Sequence, residues 1–475
     1  MAFSSSFQDL LVPFLVLILP LYYYLVFFRS SKARTSELRL PTDWPLVGMI
    51  PSLIVNMHRF HDYMATVLAA TGSSFEARGP PSVRFFCTCD PTNVRHMFVS
   101  SFANYPKGEE FASFFDVMGR QLLQRRRRVV AAPASQGAAH HERLAAARSH
   151  GAVLPRQGRD GFTFDMTAKP VFGVDAGLLS VDMPHMHVPD AMDAVMEVGF
   201  FRHTVPVPCW RLMKRLNIGP ERKLAAAQLV LRRFVAEMLE RRKGGGEQTR
   251  APVDIASNYM NDLEYVDEVG KPREFLYATL INYMFAGRDT VGTTLSWLFY
   301  NLIKHPRVAA AIRGELAPIA ARKAKASTGV VVFEPEETKP LVYLQAALFE
   351  SMRLYPPGPI ERKARLSPTT SCRAVTRMEG VWGKDCAEYR PERWLTEDGA
   401  LRHVPAHKFL PFNAGPRSCL GKDISVVQMM CVVAATVWNF DFVTLEGHAV
   451  EPKLSVVLQM KNGLLVKAKE PGGGE

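Results

Sequence analysis

Cysteine is sparse in this 475-residue chain: it occurs seven times, an odd and widely scattered set. Such a set builds no disulfide framework and points to a reducing compartment. Cys87 and Cys89 stand one residue apart with no second Cys or His pair at zinc spacing, which argues against a structural zinc site. Acidic residues are also short, 46 against 58 Lys and Arg, for a net charge of +12. That balance suits an acidic partner or an anionic membrane leaflet, and no nucleic-acid recognition motif accompanies it. No Gly-x-Gly-x-x-Gly fingerprint occurs, which argues against a dinucleotide-binding domain of its own. Tryptophan is missing between Trp44 and Trp210, and residues 116–161 hold no aromatic ring, although aromatics make up 10% of the chain. No period of 20–50 residues repeats, which excludes a solenoid or propeller.

What remains is ample for a large core: 47% hydrophobic and 22% charged residues in an ordinary globular balance. Residues 10–28, "LLVPFLVLILPLYYYLVFF", are nineteen apolar or aromatic residues without a charge. That length suffices to cross a hydrocarbon core of about 30 Å as a helix, and membrane spans tolerate prolines such as Pro13 and Pro20. Arg29, Lys32, Arg34 and Arg39 follow the run while only Asp9 precedes it, which places the main body on the cytosolic side. A cleaved signal would need a basic leader and a small-residue cleavage site, and neither is present. The expected organisation is a membrane anchor over 1–30, a basic, proline-rich connector over 31–52 (Pro41, Pro45, Pro51), and one catalytic domain over 53–470.

Helical patterning dominates that domain, with short strand-like pieces such as "SVRFFC" near its start. Residues 274–306 predict one helix of about 50 Å at ~1.5 Å per residue. Residues 341–355 predict a second, stopped by Pro356 and Pro357, and a third runs from the loop around Cys419 toward Trp438.

That loop, "FNAGPRSCLG", carries the chemistry. A thiolate is a soft metal ligand and an electron donor, and a helix N-terminus is expected to lower its pKa. Gly415 and Gly421 allow turns and close backbone approach, Phe412 offers a face to a flat ligand, and Arg417 can meet a carboxylate. A phosphate loop does not fit, because five residues separate Gly415 from Gly421 and Asp423 replaces the required Ser or Thr. On the long helix, Ala286 and Thr290 share one face, with Gly287 and Asp289 between them. Small residues there leave room, a hydroxyl can bond a small oxygen ligand, and Asp289 can help relay protons. Taken alone, that stretch also reads as a helix with a polar kink. Glu350 and Arg353 are within ion-pair reach on the second helix.

These residues resemble the cytochrome P-450 family. "FNAGPRSCLG" meets every fixed position of Phe-x-x-Gly-x-Arg-x-Cys-x-Gly; "AGRDT" is similar to the family's distal helix motif; Glu350 and Arg353 match Glu-x-x-Arg; and "PERW" supplies Arg393 as the third member of a structural triad. The resemblance implies a mainly α fold with a minor β region behind one N-terminal transmembrane helix. It implies haem b with Cys419 as the proximal iron ligand and Arg417 as a propionate partner. O2 is then the co-substrate, activated with help from Thr290 and Asp289, while Ala286 and Gly287 make space. Electrons are expected from NADPH through a separate reductase, met by basic residues such as Lys408 and Lys422. Finer wording, including "RMEGVWGKDCAEYRPERW", looks like the plant branch that hydroxylates fatty acids and alkanes, a small apolar substrate class. The implied setting is the endoplasmic reticulum membrane, single-pass, with no nucleic-acid partner.

Two departures accompany the match. The family's Trp-x-x-x-Arg helix, expected near 116–161, has no Trp here, and only the Arg125–Arg128 run offers a cation. After Arg353 the chain is short, and the family's β-hairpin with its Leu-Pro-x-Gly turn is expected to be missing from the atypical stretch 358–385. They keep a catalytically impaired member in play; a peroxide-rearranging haem-thiolate enzyme is a separate alternative, against which Thr290 argues.

Overall fold

The computed structural model describes residues 41, 48–56, 59–78, 84–115, 156–176, 187–205, 207–244, 254–260, 274–324, 330–363, 369–372 and 376–469. The apolar run 10–28, the basic connector residues and the Arg125–Arg128 run lie outside them. Among the described residues no helix is long and apolar enough to cross a membrane.

The architecture is mainly helical with two small sheets. The principal helices are α1 (Phe60–Ala70), α2 (Gly108–Phe114), α3 (Arg156–Phe172), α4 (His187–Thr204), α5 (Val207–Leu216), α6 (Gly219–Gly244), α7 (Glu274–Lys304), α8 (Pro306–Ala324), α9 (Val342–Leu354) and α10 (Lys422–Asn439). At 31 residues, α7 is the spine. It ends short of the expected residue 306 because Pro306 opens α8, where a first-turn proline lacks only an N–H that would be unpaired anyway. Its buried residues, among them Leu276, Leu280, Met284, Leu295 and Leu298, face neighbours on nearly every side. One apolar cluster joins its first half to α3, α4 and α6. Another joins its second half to α8, α9 and α10.

Two glycines let α3 lie close against this spine. A Cβ on Gly287 would come within 2.5 Å of the Thr167 side chain, and one on Gly292 within 3.2 Å of Thr163 Oγ1. Across the spine, α4 and α6 are joined by a buried ion pair. Arg202 Nε and Nη2 donate to Glu221 Oε1 and Oε2 at 2.7 and 2.6 Å, and the guanidinium lies 4.6 Å from the Trp210 ring.

The larger sheet has strand order β1 (Ser74–Arg78), β2 (Arg84–Thr88), β4 (Thr369–Cys372), β3 (Ile360–Lys363). β1 and β2 are antiparallel, β2 and β4 parallel, and β3 and β4 antiparallel with Ile360 opposite Cys372 and Lys363 opposite Thr369. This corrects the expectation of a missing hairpin after Arg353. Ladder bonding uses backbone groups that every residue but proline carries in full, so a shortened segment without the usual turn still closes the sheet. A second, two-stranded sheet pairs β5 (Asp441–Thr444) with β6 (Val466–Lys469).

The Glu350, Arg353, Arg393 triad is assembled as expected, and it is denser than three residues. The Glu350 carboxylate accepts from Arg353 Nε at 2.7 Å and Nη2 at 2.9 Å, Trp394 Nε1 at 2.9 Å, the Arg390 N–H at 3.0 Å and Arg393 Nε at 3.3 Å. Arg353 Nη1 donates to the carbonyls of Thr376 and Cys386, both at 2.7 Å. Glu350 and Arg353 are both fully buried. Removing one charge of such a pair leaves the other uncompensated in the interior, at a cost of about 3–5 kcal/mol. Glu350→Gln is therefore expected to lower unfolding free energy by roughly that amount, read as an earlier urea midpoint; a midpoint equal to wild type would refute the account.

Candidate active site

The loop ahead of α10 is held by its own backbone. The Cys419 N–H donates to the Phe412 carbonyl at 2.8 Å, and Asn413 takes a left-handed φ of 61°. Gly415 has φ +64°, and a Cβ there would run into the backbone carbonyl of Phe98. This is a position where only glycine fits. Gly421 is different: it caps α10 with an ordinary φ of −91°, and a Cβ would find only Ile424 Cγ2 at 3.8 Å. The close approach expected at Gly421 is thus carried by Gly415 instead.

Cys419 opens into a cavity of about 280 Å³ that it shares with Arg417, Phe412, Asn413, Phe98, Pro356, Pro359, Ile360, Glu361, Thr376 and Leu410. The thiol does not have the lowered pKa expected of a helix N-terminus. Displacement of water by the surrounding protein raises it, and the Gly421 N–H only partly offsets that. α10 starts at Lys422, three residues beyond the cysteine, so the helix end acts at a distance. A soft cation at the sulfur would supply what the helix does not, because coordination deprotonates a thiol outright.

The structure adds three charged residues that the sequence reading missed. Lys363 is 1% exposed, its Nζ lies 3.3 Å from Glu361 Oε1, and it makes no hydrogen bond among the described residues. Lys107 Nζ is 3.5 Å from the same Glu361 oxygen. Burial works to raise the Glu361 pKa, but these two ammonium groups outweigh it and bring the carboxyl below its usual value. Burial likewise lowers the Lys363 pKa, against the pull of Glu361. The signal was present in "IERK": alternation along a strand puts Glu361 and Lys363 on one side of β3.

The donor set fits a haem. Apolar walls from Phe98, Phe412, Ile360 and Leu410 suit a flat macrocycle, and the open Cys419 thiol suits its iron. The Arg417 guanidinium on the cavity wall suits its acidic edge, and the buried Lys363 ammonium lies behind that wall, 3.3 Å from the lining residue Glu361.

On α7, Ala286 is exposed and Thr290 half-buried, so one open face carries both, as expected. The Thr290 hydroxyl donates to the Ala286 carbonyl at 2.5 Å. Neither residue lines the Cys419 cavity. Gly287 does not widen this face, because it is spent on the contact with Thr167. Asp289 is buried away from it, bonded to Arg288 Nη1 at 2.7 Å.

An open thiol on an apolar cavity with an arginine on its wall, in a mainly helical fold with an alcohol on its spine helix, is the arrangement expected of a thiolate-ligated redox enzyme. The chain belongs to the cytochrome P450 family: the family profile described as Cytochrome P450 matches residues 54–368 and 369–468. It is similar to alkane hydroxylase MAH1 of Arabidopsis thaliana, 33% identical with 96% of this chain and 97% of the relative covered. It is also similar to noroxomaritidine synthase 2 of Narcissus pseudonarcissus, 32% identical with 94% of each chain covered. Cytochrome P450 86B1 of Arabidopsis thaliana is 33% identical, with 89% of this chain and 84% of that one covered. As a member, the chain is a monooxygenase that uses a haem with cysteine thiolate ligation, O2 and electrons supplied by a reductase.

Gly415→Ala is expected to cost about 1–3 kcal/mol of backbone strain and to reduce the haem bound per chain; full pigment and an unchanged melting temperature would contradict the geometry. Lys363→Met is expected to weaken haem binding about tenfold, in line with loss of one charged hydrogen-bond partner, measured by titrating haem into the protein. Equal affinity would remove Lys363 from the acidic-edge site.

Proposed function

We propose that this chain is a membrane-anchored haem b monooxygenase that hydroxylates a long-chain aliphatic substrate, a fatty acid or alkane, with electrons from an NADPH-dependent reductase. The observation that carries this reading is the cavity where the Cys419 thiol and Arg417 share apolar walls with Phe98 and Phe412. Cys419 would hold the iron, and Arg417, with Lys363 behind the cavity wall, would balance the charge of the acidic arms. Bound there, the haem supplies one-electron and oxygen-activating chemistry. Ala286 keeps the α7 face low where substrate and oxygen must meet. Rotating the Thr290 hydroxyl off the Ala286 carbonyl turns it into a donor toward that face. The peroxide-rearranging alternative has no use for such a donor.

Similarity to an alkane hydroxylase supports the aliphatic class. The anchor is supported by the apolar run 10–28 and its basic flank. A surface patch agrees with it. Leu212, Leu216, Ile218 and Leu229 are four of seven large apolar residues exposed among the described residues. Leu212 and Leu216 lie on α5, Ile218 in the turn that follows it and Leu229 on the first half of α6, with exposed Arg211, Lys214 and Arg215 on α5. Apolar side chains ringed by cations favour an anionic bilayer interface. We place the enzyme in the endoplasmic reticulum membrane as a single-pass protein with its catalytic domain in the cytosol. Lys408 and Lys422 face the electron donor.

Cys419→Ser is expected to abolish the thiolate-type carbon monoxide spectrum of the reduced protein and all hydroxylation. With reductase, mass spectrometry of products from a fatty-acid and alkane panel reads the substrate class. A retained spectrum in the serine variant would sink the cysteine assignment, and a panel without hydroxylated product would sink the aliphatic one.

A further inference from the structure

Among the described residues, a thread of alternating charges runs from the buried Asp289 to solvent. Asp289 Oδ1 accepts from Arg288 Nη1 at 2.7 Å, and the same nitrogen lies 2.9 Å from Asp193 Oδ1 on α4. Asp193 Oδ2 is 3.2 Å from Lys453 Nζ, which is 2.7 Å from Glu197 Oε1, and Glu197 Oε2 is 2.7 Å from Lys223 Nζ on α6. Side-chain exposure climbs along the thread without a reversal: 1% at Asp289, 2% at Arg288, 11% at Asp193, 13% at Lys453, 34% at Glu197 and 57% at Lys223. Each buried charge therefore has an opposite charge beside it, and the strength of each pair grows toward the interior as solvent screening fades.

Lys453 is the hub. Asp193 and Glu197 are one helical turn apart on α4, and both reach it. Its own loop is fixed elsewhere: the Lys453 N–H donates to the Gln459 carbonyl at 2.7 Å, and the Leu458 carbonyl accepts from Trp297 Nε1 on α7 at 2.7 Å. So α4 is tied to α7 twice, directly through Asp193 and Arg288, and indirectly through Lys453 and its loop. Arg288 cannot release a proton under ordinary conditions, so the thread does not pass protons through to Asp289. What it can do is orient. Arg288 Nη1 is shared between Asp193 and Asp289, and any slackening at Lys453 changes how Asp193 holds it.

We propose that Asp193, Arg288 and Lys453 are positioning residues for oxygenation: the thread fixes where the Asp289 carboxylate points and how α4 seats on α7. It thereby sets how much of the delivered reducing power ends in product instead of hydrogen peroxide. This rests on the monooxygenase reading, in which a diverted turnover reduces O2 with NADPH and a proton to H2O2 and NADP+. The test uses full-length protein with reductase and NADPH, and hexadecanoic acid or hexadecane as the probe. Hydrogen peroxide released per NADPH consumed is measured for wild type, Lys453→Met, Lys453→Arg and Asp193→Asn. We expect Lys453→Met and Asp193→Asn to keep the thiolate carbon monoxide spectrum and raise that ratio about threefold or more, with Lys453→Arg near wild type. An unchanged ratio in both variants overturns the proposal. So does loss of the spectrum in both, which would make the thread a structural clamp alone. Wild type without the spectrum would count against the monooxygenase reading instead.

Discussion

The buried carboxylate of Glu350 organises the half of the molecule that presents the thiol. A lone ionised carboxylate in a protein interior is prohibitively costly, so its oxygens must be saturated by donors. Here the donors come from its own helix (Arg353), from the segment around residue 390 (the Arg390 N–H, Arg393) and from the Trp394 indole. Arg353 in turn satisfies carbonyls at Thr376, Cys386 and Glu388. A stretch with little regular structure is thereby held as firmly as a sheet. Trp394 also packs edge-on to Phe409 at 4.6 Å between ring centres, which carries that order to the chain leading into the Cys419 loop.

The second constraint is the close approach of backbones. Gly415 lets the thiol loop pass against the Phe98 carbonyl, and Gly287 lets α3 press against α7 through Thr167. Both are glycines in motifs that chemistry alone would assign to the reacting centre, yet their work is packing. The open face of α7 is left to Ala286 and Thr290, while Asp289 turns inward to a charged partner. Proton handling at this site therefore depends on how the interior charges are arranged as much as on which acid the motif contains.

The loop around Cys419, the three long helices and the Glu350–Arg353 pair were legible because their signals are local: fixed spacing on a helix, a proline stop, a glycine turn; Arg393 came only through the family resemblance. The larger sheet was misjudged because its last hairpin carries no turn signature, while backbone pairing demands little of side-chain identity. The raised pKa of Cys419 was misjudged for a similar reason: desolvation depends on every wall of the cavity, and those walls come from segments as distant as Phe98, Ile360 and Leu410.

Residue order alone settled the mainly helical class, the thiol and its arginine, the alcohol-bearing face and the charge that suits an acidic partner. The charge is a sum over the whole chain, and the others follow from neighbours within about two turns of it. Folding decided the rest: that Lys363 and Lys107 converge on Glu361, that Gly287 meets Thr167, and that Asp289 joins Asp193 and Lys453 through Arg288. Apart from Lys363 and Glu361 on one strand and the neighbours Arg288 and Asp289, these partners are remote in sequence, and buried charge finds its counter-charge in space, where sequence separation has no bearing on distance.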